Sequence, residues 1–424
     1  MNFLTSAEKI RKLRKELGMS QKDLSADGIT RPFISLIESG KRSMSYNTAK
    51  ILAEKFNNKA EELGQSLNID ILYLLRSDKE DARLYCTQKL KSAESADSIE
   101  EIISIAKKYK LKDILGEAYM YLGENYFKTN DYIDAQINYL NALNYYKWTD
   151  LTDKEPYLYN KLGRCKMSQL EFLEALTYFN FAGYYAVIQN NDDIKRMSIY
   201  NMALCNKKLN RIDAALKYIE LYLSLYDKEN DFRMYIYVNV LKAECFEIEN
   251  SADISICILD NLSKEFDKYD DPLLGYIYNN LGELYLKKSD FKRSLEFFKR
   301  AEHIREVKDA YNLSHTVLKE SYIFINQKQY DKAVALIEKG LKLSYENNDK
   351  EYLLEGYYML AGIYISLKRN DEAVSIYEKL ADLLQKDSNK LLNVYVKLSQ
   401  LYAEQNNSKK LQETLHILDE LTGK

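Results

Sequence analysis

Residues 119–142 read YMYLGENYFKTNDYIDAQINYLNA, and their spacing returns along most of the chain. Gly123 and Tyr126 stand one turn apart, while Ala135, Tyr139 and Ala142 form a second stripe at i, i+4 and i+7. Small and apolar residues so spaced line one face of a helix, and Thr129-Asn130-Asp131 between the stripes is turn chemistry. The stretch predicts a helical hairpin in which the small residue at Gly123 lets two amphipathic helices approach closely.

The frame recurs as Gly163, Ala175, Phe179, Ala182, as Ala203, Ala215, Ile219, and as Ala243, Phe246, Leu259. It continues as Gly282, Tyr285, Ser294, Phe298, Ala301, then Ser321, Phe324, Ala333, Ile337, then Ala361, Tyr364, Ala373, Tyr377. A decayed copy follows at Ser399, Tyr402, Leu411, Leu415. Between small residues the steps are 40, 40, 40, 39, 39, 40 and 38 residues. A period that regular predicts a solenoid, which keeps growing past the size of one compact core because each unit touches only its neighbours. The order small, aromatic, Ala, aromatic, Ala resembles the tetratricopeptide repeat, each copy being a few residues longer than that family's ~34-residue unit. The fold class expected is all-α: a small head followed by a right-handed tetratricopeptide-repeat solenoid.

Composition agrees. Among 424 residues there are 14 Gly and 3 Pro, and Pro156 and Pro272 each stand where the first helix of a repeat begins. The first helical turn tolerates Pro because its N–H groups lack partners. No apolar run approaches the ~20 residues that span a bilayer, and the N-terminus lacks a signal peptide's apolar segment, so a soluble, cytoplasmic protein is expected. Cys165, Cys205 and Cys245 each fall two positions after the small residue of their repeat, which marks them as small buried hydrophobes. No CxxC pair occurs and only His303, His315 and His416 are present, so neither a metal nor a cofactor is expected.

Residues 1–58 do not follow the repeat. Phe3–Leu17 is an amphipathic helix with Ile10, Leu13 and Leu17 on one face and Lys9, Arg11, Lys12, Arg14 and Lys15 on the others. Gly18 suits its C′ position, Ser20 caps a short helix over Gln21–Ala26 with Asp23 reciprocating, and Asp27-Gly28 turns the chain. Thr30 caps a third helix to about Ser39, ended by Gly40, and Ser45 caps a fourth to about Phe56. Two short helices joined by a tight Gly turn make a helix-turn-helix. The stretches 19–24 (MSQKDL) and 33–42 (FISLIESGKR) resemble the Cro/phage-repressor (Xre) type. That resemblance implies that Gln21 meets a phosphate and that Thr30, Arg31, Phe33 and Ser35 face the major groove. Arg31 would pair with guanine, Phe33 would touch a thymine methyl, and Lys41 and Arg42 would meet phosphates. Ile34, Leu36 and Ile37 are expected in the core. Charge agrees: residues 1–60 hold 12 Lys+Arg against 6 Asp+Glu, a net of +6, and since the chain totals −3 the remainder carries −9. A basic head on an acidic body suits a double-stranded DNA reader joined to a sensor.

Residues 59–80 are expected to form a linker, with a break at Asn57-Asn58 and an apolar stretch through Ile69–Leu75. Residues 81–424 are then the repeat array, opening on an irregular hairpin over 82–112. In a tetratricopeptide array the first helices line the concave face. Reading inward positions there gives Tyr157 and Asn160, Tyr200 and Asn201, Tyr237 and Asn239, and Tyr276 with Asn279 and Asn280. Arg164, His315 and Lys319 join them. Asn is a poor interior helix residue, and its amide both donates to and accepts from a peptide unit, so a recurring set can clamp an extended backbone. Tyr rings and Arg164 would add pockets and a carboxylate site.

A Cro-type head, a short connector and about eight extended hairpins resemble the RRNPP regulators (Rgg, Rap, NprR, PlcR and PrgX). The resemblance implies a cytosolic quorum-sensing homodimer whose DNA binding is controlled by a short signalling peptide in the concave groove. The alternative is a scaffold or phosphatase-like regulator of a response-regulator protein, for which Gln88, Glu117 and Glu124 are the available water-orienting residues. An enzyme proper is not expected: the chain has no nucleophile elbow, phosphate-cradling Gly loop or HExxH.

Overall fold

The structure, a computed structural model, describes residues 1–92, 95–149, 152–225, 231–267, 271–384 and 388–422. Among these residues every regular element is helical, apart from one isolated antiparallel bridge between Ala26 and Ile29. The chain divides into two compact units, residues 1–210 and 211–424.

The first unit opens on the head: α1 (Ser6–Glu16), α2 (Arg31–Glu38) and α3 (Tyr46–Glu62). Thr30 accepts from the Phe33 N–H and Ser45 from the Thr48 N–H, the caps the sequence offered. Gly18 and Gly40, at φ 66° and 72°, close α1 and α2 in the left-handed conformation. Ser20 and Asp23 cap each other as expected, yet residues 21–24 stay a turn rather than a helix. The Ala26–Ile29 bridge, turning through Gly28 at φ 79°, leaves too few residues for a second helical turn. Ile10, Leu24, Ile34, Ile37, Leu52 and Phe56 form the core. Leu36, expected inside, is 40 % exposed.

The expected break at Asn57-Asn58 does not occur. Helix α3 runs on to Glu62 because Asn57 is satisfied by the next segment: its Nδ2 donates to the Ile69 carbonyl and its Oδ1 accepts from the Ile69 N–H. Ile69, and Leu74 of α4 (Ile71–Leu75), then enter the head's own core, so the apolar stretch of the 59–80 linker packs on the head. Ser77 and Glu80 make a capping box for α5 (Asp78–Lys91). Two of the basic residues off the apolar face of α1 are structural. Lys9 is 1 % exposed: its Nζ donates to the Tyr73 and Arg76 carbonyls at 2.9 and 2.7 Å and pairs with Asp81 on α5. Arg14 forms a two-pronged pair with Glu38 at 2.6 and 3.1 Å. Ahead of α1, Phe3 packs against Tyr85 and Tyr109 of the first array hairpin.

That hairpin pairs α5 with α6 (Ala96–Lys108). Next come α7 (Lys112–Lys128) with α8 (Tyr132–Trp148), α9 (Glu155–Ser168) with α10 (Phe172–Ile188), and α11 (Asp192–Lys208). The second unit holds α12 (Ile212–Ser224), then α13 (Phe232–Ile248) with α14 (Ala252–Phe266), and α15 (Leu273–Lys287) with α16 (Phe291–Lys308). It continues with α17 (Leu313–Asn326) and α18 (Tyr330–Glu346), α19 (Lys350–Ser366) and α20 (Asn370–Leu383), and α21 (Ser388–Glu404) and α22 (Ser408–Thr422).

Packing explains the repeat frame. A Cβ on Gly123, Gly163 or Gly282 would stand 2.8, 2.6 or 2.8 Å from the ring of Tyr139, Phe179 or Phe298, the aromatic of the facing stripe. Only a residue without a side chain leaves room for that ring. The turns keep the same period, with Leu170, Asn210, Asn250, Ser289, Lys328, Lys368 and Asn406 all at φ between 55° and 64°. In the quoted stretch Asn130, at φ 62°, fills this role, and the N–H groups of Asn130 and Asp131 donate to the carbonyls of Phe127 and Tyr126. Cys165, Cys205 and Cys245 are buried between helices, and burial pushes the Cys165 and Cys205 thiols up to about 12.

Candidate functional site

Two regions concentrate chemistry, one in each unit. In the head, Thr30, Arg31, Ser35, Lys41 and Arg42 are exposed along and just beyond α2. Phe33 is half-buried against the core, with the Arg42 guanidinium 4.9 Å from its ring centre. Gln21 is placed differently from the expectation: its amide donates to Glu38 at 2.9 Å, closing the Arg14–Glu38 node. That node lowers the Glu38 pKa through bonds from Arg14 and Gln21, against a burial that would raise it.

In the second unit a cavity of about 690 Å³ opens between the first helices of consecutive hairpins. Tyr237 from α13, Tyr276, Asn279 and Asn280 from α15, His315 and Lys319 from α17, and Tyr352 from α19 line it. Six of these, Tyr237, Tyr276, Asn279, Asn280, His315 and Lys319, are among the residues that the sequence reading turned inward. Asn239 is 9 % exposed and donates to the Tyr235 carbonyl one turn back, as Asn280 does to Tyr276, so part of the Asn recurrence is local helix chemistry.

The residue that the sequence reading missed is Arg305, from second helix α16. It is 4 % exposed, and its Nη1 donates to the Asn312 carbonyl at 3.0 Å and to the Thr316 hydroxyl. Thr316 donates in turn to Asn279 Oδ1 at 3.1 Å, and Asn279 Nδ2 donates to Glu283 at 2.6 Å. A guanidinium and a carboxyl therefore sit at two ends of one buried relay. Burial pulls the Arg305 pKa down and pushes the Glu283 carboxyl up. Arg305 Nε has no hydrogen-bond partner; the Asp309 carboxylate stands 3.9 Å away. His315 stacks on Tyr352 with ring centres 3.6 Å apart and meets Asp349 at 2.7 Å; burial nevertheless lowers its pKa. Arg233–Asp271 and Lys319–Glu355 pairs complete the wall. Interleaved cations, carboxylates and amides suit a ligand that itself presents both donors and acceptors along its length.

The remaining candidates belong to the first unit. Tyr157 donates to Glu124 at 2.7 Å, which also accepts from Tyr139 and Lys161, closing a network of its own. Arg164 lies over the Phe127 ring, Tyr200 is half-buried and Asn201 is 8 % exposed. Asn160 is 2 % exposed and its Nδ2 has no partner. Among the described residues no cluster of His, Cys, Asp and Glu has the arrangement of a metal site, and no helix is long and apolar enough to cross a membrane.

These parts define a class: a helix-turn-helix head followed by tetratricopeptide hairpins. Residues 10–63 match the helix-turn-helix family model, and residues 275–306, 317–347 and 354–384 match the tetratricopeptide repeat. The two matches, a helix-turn-helix and then tetratricopeptide repeats, fall in the order the sequence predicts. The transcriptional activator NprA of Geobacillus stearothermophilus is 24 % identical over 227 residues, 52 % of this chain and 55 % of that protein. The chain thus spans about half the length of that curated relative. The apo form of the quorum sensor NprR from B. thuringiensis has a TM-score of 0.52 at 17 % identity, over 81 % of this chain and 99 % of that one. Aspartyl phosphate phosphatase F from Bacillus subtilis has a TM-score of 0.51 at 16 % identity, over 81 % and 92 %. At these identities the likeness to the solved structures is one of fold.

Proposed function

We propose that this chain is a cytoplasmic transcription regulator whose binding to double-stranded DNA is controlled by a short signalling peptide held in the cavity of the second unit. The observation that carries the reading is Arg305: a guanidinium kept buried with an unsatisfied Nε, 3.9 Å from Asp309 and joined through Thr316 and Asn279 to the desolvated Glu283 carboxyl, in an open cavity. A buried charge without full compensation lowers stability, so a stabilising role does not account for it. The likeness to NprA, a transcriptional activator, and to NprR, a quorum sensor, supports the same assignment. A phosphatase-like reading gains nothing from Glu124, whose carboxylate is occupied by two tyrosines and a lysine. Gln88 is exposed and Glu117 half-buried, without a shared site.

On this reading Arg31→Ala weakens specific DNA binding by about 1–3 kcal/mol and relaxes specificity at one base pair, while leaving peptide affinity unchanged. Fluorescence anisotropy with the chain's own promoter DNA, with and without peptide, tests it. Equal loss on every DNA sequence would assign Arg31 to a phosphate.

A homodimer follows from the head, because such readers bind paired half-sites ~34 Å apart. The outer face of α10 supports a second copy as its cover. That helix holds one charge, Glu174, and exposes Leu173, Phe181, Tyr184, Val187 and Ile188 by 45–63 %. Large side chains so exposed offer roughly 100 Å² each, which with their polar neighbours approaches the ~800 Å² per partner of a standard interface. An uncharged patch also meets its own two-fold copy without like-charge repulsion. Phe181→Asp is expected to convert dimer to monomer in sedimentation; an unchanged dimer would place the interface elsewhere.

A further inference from the structure

Helix α19 carries two interior glycines, and only one has a packing reason. A Cβ on Gly356 would stand 2.8 Å from Leu341, whereas a Cβ on Gly362 would meet nothing within 4 Å. Glycine is disfavoured inside a helix, so its presence at a position with room for a side chain calls for something else to occupy that room. Gly362 borders a second hollow of about 510 Å³, walled chiefly by Tyr322, Ile325, Tyr330, Tyr358 and Met359. Its one charged group, Glu355, is held by Lys319 at 2.8 Å and by the Tyr322 hydroxyl at 3.3 Å.

The hollow continues the polar cavity. Lys319 and Tyr352 border the cavity, while Tyr322 and Glu355, three residues further along the same two helices, border the hollow. That advance is about 5 Å. An extended peptide rises ~3.3 Å per residue and returns a side chain to the same face every second residue. Gly362 lies a further seven residues, about 10 Å, along the same helix, so a ligand engaged at Lys319 and His315 reaches over Gly362 in about four to five residues.

We propose that the signalling peptide carries a bulky apolar side chain, aromatic or branched aliphatic, about four to five residues from its polar anchor, and seats it in the hollow over Gly362. This rests on the reading that the polar cavity holds a peptide. The ligand class so defined is an amphipathic short peptide, polar where it meets Arg305, His315 and Lys319 and apolar at one fixed position further along.

The test is selection from a phage-displayed random heptapeptide library on the full-length wild-type chain and on Gly362→Ala, Gly362→Phe and Arg305→Met. Wild type and Gly362→Ala are expected to select peptides sharing Phe, Leu, Ile or Met at one position. Gly362→Phe should select small residues there and bind the wild-type peptides at least 30-fold more weakly. Its unfolding temperature should stay at or above wild type, which separates a filled hollow from a damaged fold. Wild-type peptides that retain a cavity-dependent signature, lost in Arg305→Met, but show no apolar position or bind Gly362→Phe equally well, would overturn the hollow alone. Failure of wild type to select any peptide, or selection indifferent to Arg305→Met, would overturn the cavity reading and this proposal with it.

Discussion

Asp81→Leu is expected to destabilise the first unit by about 3–5 kcal/mol, among the largest effects of any single substitution in this chain. Lys9 is 1 % exposed and Asp81 is its only carboxylate partner among the described residues; the rest of its shell is the carbonyls of Tyr73 and Arg76 and the Tyr73 ring. Leucine leaves an ammonium buried without a counter-charge and also takes the 2.7 Å partner from Arg76. Lys9→Met costs less, because Asp81 keeps Arg76. The double variant Lys9→Met/Asp81→Leu should recover most of the loss, since an apolar pair of similar volume often replaces a buried ion pair at little cost. Urea unfolding of the three variants measures this through a double-mutant cycle. A single variant as stable as wild type would mean that Lys9 reaches water. The pair joins α1 of the head to α5 of the array, so the same cycle reports how firmly the head is seated on its first hairpin.

Arg305→Met is expected to separate stability from binding. Methionine fills much of the guanidinium's volume and removes a buried charge whose ion-pair distance to Asp309 is a loose 3.9 Å, so the unfolding temperature should hold or rise. Peptide affinity should fall by about 10- to 100-fold, the worth of a charge-assisted hydrogen bond at ~1.5–3 kcal/mol. Isothermal titration with a library-selected peptide and thermal unfolding of the same sample give both numbers. Loss of stability in proportion to affinity would make Arg305 a structural residue.

Arg305 also marks how far the sequence could be read. In the second-helix stripe it occupies the position held by Tyr146, Ala186, Ser344 and Leu384 in other hairpins, all buried. A charge at a core position of a regular frame is a visible anomaly, but one that appears only when second helices are aligned as carefully as first ones. The hairpins themselves were legible because Gly123, Gly163 and Gly282 face aromatic rings at one fixed offset, a local relation that spacing encodes. Caps at Thr30 and Ser45 were legible for the same reason. Long-range pairs were not: nothing near Lys9 or Asn57 in the sequence announces Asp81 or Ile69 as partners. Likewise Gln21 reads as a helix N-terminal donor, and only the fold brings Glu38 to its amide. For the Asn set, periodicity located Asn279 and Asn280 at the cavity, but it does not separate an amide turned toward a ligand from one folded back on its own helix, as at Asn239.

The most direct measurement of the central claim is DNA affinity of the full-length chain by anisotropy, titrated with one selected peptide, for wild type and Arg305→Met side by side. A useful switch requires a coupling of about 1–3 kcal/mol. The account predicts that peptide changes wild-type DNA affinity by at least fivefold, and that Arg305→Met binds DNA as peptide-free wild type does and ignores the same peptide concentration. Peptide that binds wild type tightly yet leaves its DNA affinity unchanged would contradict it.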